Sequence, residues 1–234
     1  MTNDGRNPRR VARATLTEQL ESAMRADIVD GNLPPGHRLI ASELSKQYGV
    51  SATPLREALQ RLAGGGWVTL DPRLGGTVAR TSVSELRDIY WLRDHLESLA
   101  LELSVAHGDE LWEQRVRDSW SDFKRALSGD EASPMGGVSD WLTAHRRFHS
   151  STLAATGSPW LTRFVSDLAD HSERYRMLSV RTHSRASLDE HQRLFEMAIN
   201  RDIRGAVDAN RAHLRRTVEL LEPLFASVDG ASSE

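Results

Sequence analysis

Residues 36–62 are GHRLIASELSKQYGVSATPLREALQRL, and the first third of the chain is built around this segment. A short helix is predicted around Ser42–Tyr48, because Gly49 supplies the left-handed residue at which many helices end. Ser51 is a typical N-cap for the next helix, and Pro54 is tolerated in its first turn. The spacing therefore predicts two short helices on either side of a tight turn.

The segments on either side extend this unit. Thr15 and Glu18 have the spacing of a capping box, and apolar residues at helical spacing follow them. After the second short helix, Trp67–Leu70 and Thr77–Ala79 are β-prone runs separated by a loop that contains proline and glycine. Three helices followed by a hairpin predict a winged helix-turn-helix DNA-binding domain over residues 1–80, with a small β-hairpin as its wing.

From Ser82 onward the sequence predicts long amphipathic helices with few breaks. These helices are placed near Ser84–His107, Leu111–Leu127, Ser139–Ala155, Trp160–Ser179, Ser187–Asn200 and Asp202–Ser227. The fold class is therefore mainly α, since the winged helix-turn-helix is followed by an antiparallel all-α helical bundle at 83–228. Residues 1–13 are interpreted as a flexible basic arm and residues 229–234 as a disordered tail.

Composition and charge narrow the class of protein. Hydrophobic residues make up 39% and charged residues 27% of the chain, which is typical of a globular protein, and no segment resembles a membrane span. The absence of cysteine fits a cytoplasmic location and excludes thiolate catalysis and thiolate metal sites. Up to Arg80 there are 11 basic and 8 acidic residues, against 19 and 25 in the remainder. The basic first third indicates an anionic polymer as its partner.

The motifs of residues 36–62 come in a defined order: G-x-R-L, an E-L helix, a G-V-S turn and a P-L-R-E-A-L helix, followed by a Gly-rich wing. This order resembles the winged helix-turn-helix of the GntR family of bacterial regulators. The alternative is a small structural three-helix unit with exposed arginines. The residues expected to contact DNA are Arg38, Ser51, Thr53, Arg56, Arg73, Gly75, Gly76 and Thr77. Arg56 can fork onto guanine or phosphate, and the wing glycines allow close approach to the minor groove.

Two positions leave details of DNA binding open. Many family members carry Arg after the Ser of the G-V-S turn, whereas this chain has Ala52, so its operator preference is expected to differ. Arg61 is either a further DNA contact or a solvated charge. One recognition helix reads only a few base pairs, so we expect a homodimer on an inverted repeat of double-stranded operator DNA.

Histidines form the second group of candidate site residues. His145 and His149 are four residues apart on a predicted helix, which places both imidazoles on one face. With 9 histidines in the chain such a pair often arises by chance, so its weight comes from His191 and His213 on two later helices. Antiparallel helices joined by a short turn can bring such residues to one level, and imidazole is a common ligand of divalent metals.

Four pieces of the second domain carry a further resemblance: LRDHLESLA at 92–100, RFH at 147–149, the Glu-His pair at 190–191, and the closing Asp202, Ala206 and His213. They are similar to the FCD-type helical ligand-binding domain of the FadR branch of GntR regulators. An Asp and three His bind the ion in metal-containing members, and His145 stands in the Asp position here, four residues before His149. The implied metal ligands are His145, His149, His191 and His213. Zn or Ni is favoured over Mn because a carboxylate is lost, and a metal-free pocket lined by histidines is the alternative.

Arginine supplies the candidate effector contact. An arginine inside a helical cavity is costly unless it meets a carboxylate. By its position in the motif, Arg93 is expected to bind the carboxylate of a small organic-acid effector. The arginines expected to be surface charges are Arg174, Arg176 and Arg181.

The sequence and the resemblance together predict a transcriptional repressor that a small carboxylate-type metabolite, bound with a divalent metal, releases from its operator. Metalloprotease-like catalysis is the first alternative, but it needs a carboxylate beside the paired histidines, and residues 146–148 are Arg, Arg and Phe. A DNA-architectural protein without a ligand is the second. That alternative leaves the helical domain without an evident task.

Overall fold

The computed structural model describes residues 15–71, 75–127, 137–176 and 185–230. The chain divides into two compact units, Met1–Arg80 and Thr81–Glu234. The predicted basic arm, Arg73 of the wing, Arg181 and the last four residues of the predicted tail lie outside the described residues.

Three helices and a three-stranded antiparallel sheet form the described part of the first unit. The elements are α1 (Leu16–Val29), β1 (Arg38–Leu39), α2 (Ala41–Tyr48), α3 (Ala52–Gly64), β2 (Val68–Asp71) and β3 (Gly75–Val78). The predicted hairpin is β2 and β3, and β1 adds a third strand that the sequence did not indicate, in the order β1-β3-β2. Arg38 therefore belongs to a strand, opposite Thr77.

Local signals explain two of the helix ends in this unit. Thr15 and Glu18 form the complete capping box at the start of α1. Gly49 ends α2 with a φ of 65°, the left-handed conformation that glycine adopts without strain. Ser51 is the N-cap residue of α3, as predicted, although its side chain makes no capping hydrogen bond.

Six helices form the described part of the second unit. They are α4 (Val83–His107), α5 (Glu110–Leu127), α6 (Gly137–Thr152), α7 (Pro159–Arg176), α8 (Arg185–Ile199) and α9 (Ile203–Gly230). The described ends lie within three residues of the predicted ones. Because α9 continues to Gly230, the first two residues of the predicted tail are helical.

The helices of the second unit pack around two apolar clusters. Helix α4 packs against α6, α7 and α9, and α8 packs against α5 and α9. The larger cluster includes the fully buried rings of Trp112, Phe123 and Phe148, which contribute large apolar areas to the core. Within the described residues, no helix combines the length and apolar character needed to cross a membrane.

The last turn of α7 is fastened to the first turn of α4. The Tyr175 hydroxyl donates a hydrogen bond to the Glu85 carboxylate and accepts one, at 3.3 Å, from the backbone N–H of Ser82. Arg174 Nη2 donates to Glu85 Oε1 at 2.9 Å. Ser82 also caps α4 through the backbone N–H of Glu85. These contacts join α7 to the residues that directly follow the unit boundary.

Candidate functional sites

Helix α3 presents two of the candidate DNA contacts to solvent. Thr53 and Arg56 are both exposed, outside the stripe of buried residues on this helix. Within the described chain, Arg56 forms no hydrogen bond or ion pair. Arg61 on the same helix lies 3.7 Å from carboxylate oxygens of both Glu18 and Glu21 of α1. The charge of Arg61 is therefore partly met by α1, whereas Arg56 is available for a phosphate or a base edge.

The sheet carries the candidate wing contacts. The exposed Arg38 lies opposite the half-buried Thr77 at the pairing of β1 with β3. Gly75 is exposed and has a φ of 85°, which favours glycine. Gly76 is buried, and a Cβ at this position would lie 3.3 Å from Leu39 Cβ, so glycine here permits close packing of the strands.

The four candidate histidines of the helical unit come together. His145 and His149 lie one turn apart on α6, and His191 of α8 and His213 of α9 face them. All four side chains are buried, and each offers a ring nitrogen within 4.8 Å of the others. The His145 Nε2 atom lies 2.9 Å from His191 Nε2 and 3.1 Å from His149 Nε2.

The spacing and protonation of these imidazoles fit a divalent ion. Two nitrogens that are each about 2.1 Å from one ion lie roughly 3.0 to 3.4 Å apart, close to the Nε2 separations found here. His213 Nδ1 lies 3.0 Å from Glu190 Oε2, and donation of its proton to that carboxylate leaves the Nε2 lone pair for an ion. Burial is the main cause that holds the pKa of His145 and of His149 well below 6.5. Neutral imidazoles are the form that binds metal.

Arg176 adds a competing interaction at one histidine. Its Nη1 lies 2.9 Å from His145 Nδ1 and 3.1 Å from His145 Nε2. A neutral imidazole has one free ring lone pair, so Arg176 and an ion compete for His145. Both Arg176 and Arg174 are buried, which corrects the prediction that they are surface charges. They are buried because α7 turns them toward α6 and α4, a tertiary contact that the local sequence does not indicate.

A cavity of about 130 Å³ adjoins the histidines. Its charged and imidazole lining consists of Arg93, Glu97, His145, His149, Glu173 and Arg176, together with Arg146 at the edge. Serine, threonine and aliphatic side chains complete the wall. A small cavity with several convergent polar groups can admit a small polar ligand.

Arg93 lies in the cavity wall as part of a buried network. Its Nε donates to Glu97 Oε1 at 2.7 Å, and its Nη1 donates to Ser172 Oγ at 2.9 Å. The second oxygen of Glu97 accepts from Asn210 Nδ2 at 3.0 Å. Arg93 is therefore held rigidly in place, and Glu97 balances its charge inside the unit.

Sequence reasoning brought the four histidines and Arg93 together but missed Glu173, Ser172 and Arg176. Glu173 and Arg176 have the i, i+3 spacing of an ion pair. On a helix end such pairs are usually exposed, so their spacing alone gave no reason to place them in a site. Their role in the cavity depends on the packing of α7 against α4, which local sequence patterns do not encode.

The two units together define a class of protein. A winged helix-turn-helix with an exposed arginine on its third helix is a DNA-binding module. The second unit is helical and holds a polar cavity beside four histidines. A chain with both units has the organisation of a DNA-binding regulator.

Comparison with known families agrees with this class. Residues 16–78 match the model described as "Bacterial regulatory proteins, gntR family", and residues 88–216 match the FCD domain. The chain belongs to the GntR family of transcriptional regulators, in the FCD-containing kind that forms the FadR subfamily. The matching families and relatives are DNA-binding regulators and not enzymes, so the catalytic alternative is wrong.

Full-length relatives and a solved structure share this organisation. The chain is 33% identical over 210 residues to the HTH-type transcriptional regulator BphR of Paraburkholderia xenovorans (strain LB400), covering 88% of this chain and 85% of BphR. It is 30% identical over 212 residues to the HTH-type transcriptional repressor GlaR of Escherichia coli (strain K12), covering 87% and 94%. The structure of E. coli McbR/YncC is similar in fold, with a TM-score of 0.79 at 21% identity, covering 91% of this chain and all of that one.

Proposed function

We propose that the chain is a transcriptional repressor that binds an inverted-repeat operator as a homodimer in the cytoplasm and leaves it when a small carboxylate-type metabolite binds beside a divalent metal. The observation that carries the proposal is the cluster of four buried histidines next to a cavity walled by Arg93. Repression is supported by the relative GlaR, which is a transcriptional repressor by name.

In the DNA-binding part of the proposal, α3 lies in the major groove of the operator. Arg56 would contact guanine or phosphate, while Ser51 and Thr53 at the start of α3 would contact phosphates or base edges. The wing residues Arg38 and Thr77 would lie along the backbone or minor groove. A two-fold homodimer doubles these contacts and fixes the half-site spacing.

In the ligand-binding part of the proposal, the histidines bind the metal and Arg93 binds the effector. His149, His191 and His213 would hold the ion, and His145 would join them when it is released from Arg176. When bound, the ion supplies an electrophilic centre for a carboxylate oxygen. With imidazole in place of a carboxylate, Zn or Ni is preferred over Mn. Arg93 would donate to a carboxylate of the effector from the cavity wall.

Release from DNA would follow from a movement of the helices that supply the cavity wall. The wall residues come from α4, α6 and α7. An effector that draws these helices together shifts α4, which begins three residues after Arg80. If the distance between the two DNA-binding units of a dimer changes by a few ångströms, the dimer no longer fits an operator whose half-sites have a fixed spacing, and its affinity falls.

One experiment tests the recognition helix. Arg56→Ala should cost on the order of 1 to 3 kcal/mol of operator binding, measured by fluorescence anisotropy on a DNA selected by the full-length protein. Arg61→Ala is the matched control on the same helix, because Arg61 already interacts with α1. Equal operator affinity of Arg56→Ala and the wild type would refute the assignment of α3.

A second experiment tests the coupling of metal and effector. Wild-type protein, metal-stripped or loaded with Zn²⁺, is titrated by calorimetry with a panel of small organic acids. Removal of the ion, or the pair His149→Ala and His191→Ala, should weaken binding of the tightest acid by at least about tenfold. His107→Ala, an exposed histidine at the end of α4, is the control.

The result also separates the alternatives. Equal acid affinity with and without the ion would make the histidines a pocket lining only. Operator affinity that is indifferent to both metal and acids would favour the architectural alternative.

A further inference from the structure

Two carboxylates lie in the cavity wall, and only one of them is fully used by the protein. Glu97 is 1% exposed, and each of its oxygens accepts a hydrogen bond, one from Arg93 and one from Asn210. Glu173, in the last turn of α7, is 6% exposed and lines the same cavity. Its one hydrogen bond among the described residues is with Arg176 Nη1, 3.5 Å from Glu173 Oε1.

The contact between Glu173 and Arg176 is at the limit of a hydrogen bond. The same Nη1 atom lies 2.9 Å from His145 Nδ1, so Arg176 is engaged more closely by the imidazole. No described residue donates to Glu173 Oε2. Glu173 Oε2 is not fully buried and faces the cavity, where water can satisfy it. A ligand that displaces this water leaves a costly unpaired acceptor unless it supplies a hydrogen-bond donor.

Arg93 shows the complementary feature. Its Nε and Nη1 are bonded to Glu97 and Ser172, whereas its Nη2 donates to no described residue. The cavity wall therefore offers an unused donor and an unused acceptor. A ligand that satisfies both must carry an acceptor group and a donor group.

We propose that Glu173 determines effector specificity by accepting a hydrogen bond from a hydroxyl or ammonium group of a substituted carboxylic acid. This inference rests on the proposed function, since it concerns the acid that binds the same cavity. The carboxylate of the acid meets Arg93 or the ion, and the second group meets Glu173. An acid without a donor leaves Glu173 unsatisfied, and buried polar groups left unpaired are the basis of strong discrimination.

The balance of charge in the cavity favours a hydroxyl over an ammonium group as the donor to Glu173. Arg93 and Arg176 are offset by Glu97 and Glu173 within the cavity wall. A bound divalent ion adds positive charge, which an acid's carboxylate reduces. A hydroxyl donor adds no further positive charge, whereas an ammonium does, so the hydroxy acid is the favoured member of the pair.

The test uses nine acids on the full-length, Zn²⁺-loaded protein. Acetate, propionate and succinate are each compared by calorimetry with their 2-hydroxy and 2-amino derivatives: glycolate and glycine, lactate and alanine, malate and aspartate. On the carbon skeleton that binds most tightly, a donor-bearing acid should bind at least about tenfold more tightly than the unsubstituted acid. Glu173→Gln should reduce this preference at least about fivefold and change the affinity for the unsubstituted acid less than about twofold.

Two further variants sharpen the result. Glu173→Asp keeps the acceptor on a shorter side chain and should retain part of the preference. Asp167→Asn, at an exposed carboxylate on the same helix, is the matched control and should retain all of it. A preference that is absent in the wild type, or unchanged in Glu173→Gln, would overturn the inference while leaving the proposed function intact. Failure of all nine acids to bind would overturn the proposed function and the inference with it.

Discussion

Glu97→Gln should strongly destabilise the helical unit. The substitution removes the charge that faces Arg93 Nε at 2.7 Å and leaves a guanidinium whose side chain is 7% exposed without its counter-charge. Breaking one side of a buried ion pair costs about 3 to 5 kcal/mol, and Gln keeps an oxygen for Asn210, so we expect a loss near the lower end, about 3 kcal/mol. This is a large part of a typical domain stability of about 5 to 15 kcal/mol.

Equilibrium urea unfolding in the presence of a chelator measures this loss. Tryptophan fluorescence reports mainly on the helical unit, because Trp67 is the one tryptophan of the 6 that precedes Arg80. Glu102→Gln, at an exposed position on the same helix, should change the unfolding free energy by less than about 0.5 kcal/mol. Arg93→Met combined with Glu97→Leu should recover much of the loss. A loss below about 1 kcal/mol in Glu97→Gln would refute the buried-pair interpretation.

Three further predictions concern the histidines. Glu190→Ala should lower Zn²⁺ affinity about 10- to 100-fold in a chelator competition, because His213 loses its carboxylate partner; no change relative to an exposed Glu196→Ala control would contradict this. His145→Asp should raise affinity for Mn²⁺ relative to Zn²⁺ in the same competition, and an unaltered ratio would count against a shared site. Below pH 6.5 the unfolded chain takes up protons at His145 and His149 that the folded, metal-free protein does not, so stability should fall with pH by up to about 2.7 kcal/mol per unit. Urea unfolding between pH 7 and 5.5 measures this slope, and a flat profile would exclude it.

Features with local chemical signals could be predicted from the sequence. The capping box at Thr15 and the left-handed Gly49 fixed two helix ends in the DNA-binding unit. Helical periodicity also placed His145 and His149 on one face of α6, and the family resemblance supplied the other two histidines. These signals act over one or two helical turns, so they can be recognised in the sequence without the tertiary fold.

Features that depend on distant packing could not be predicted in this way. Strand β1 is two residues long and exists because Arg38 and Leu39 pair with β3, far along the chain. Arg176 looked like a surface charge because nothing near it in sequence indicates that α7 faces α6. Glu173 keeps an acceptor without a hydrogen bond because its neighbour Arg176 is bonded more closely to His145, and no local sequence pattern indicates this.

The last turn of α7 connects the cavity directly to the first turn of α4. Alternate residues of one helical turn point two ways: Glu173 and Arg176 line the cavity, while Tyr175 bonds to Ser82 and Glu85. Under the proposed function, a displacement of this turn by a bound acid would reach the residues next to the unit boundary without crossing the core. Exchange of Tyr175 would then alter the transmission while the cavity residues stay the same, so sensitivity to the effector could evolve separately from effector affinity.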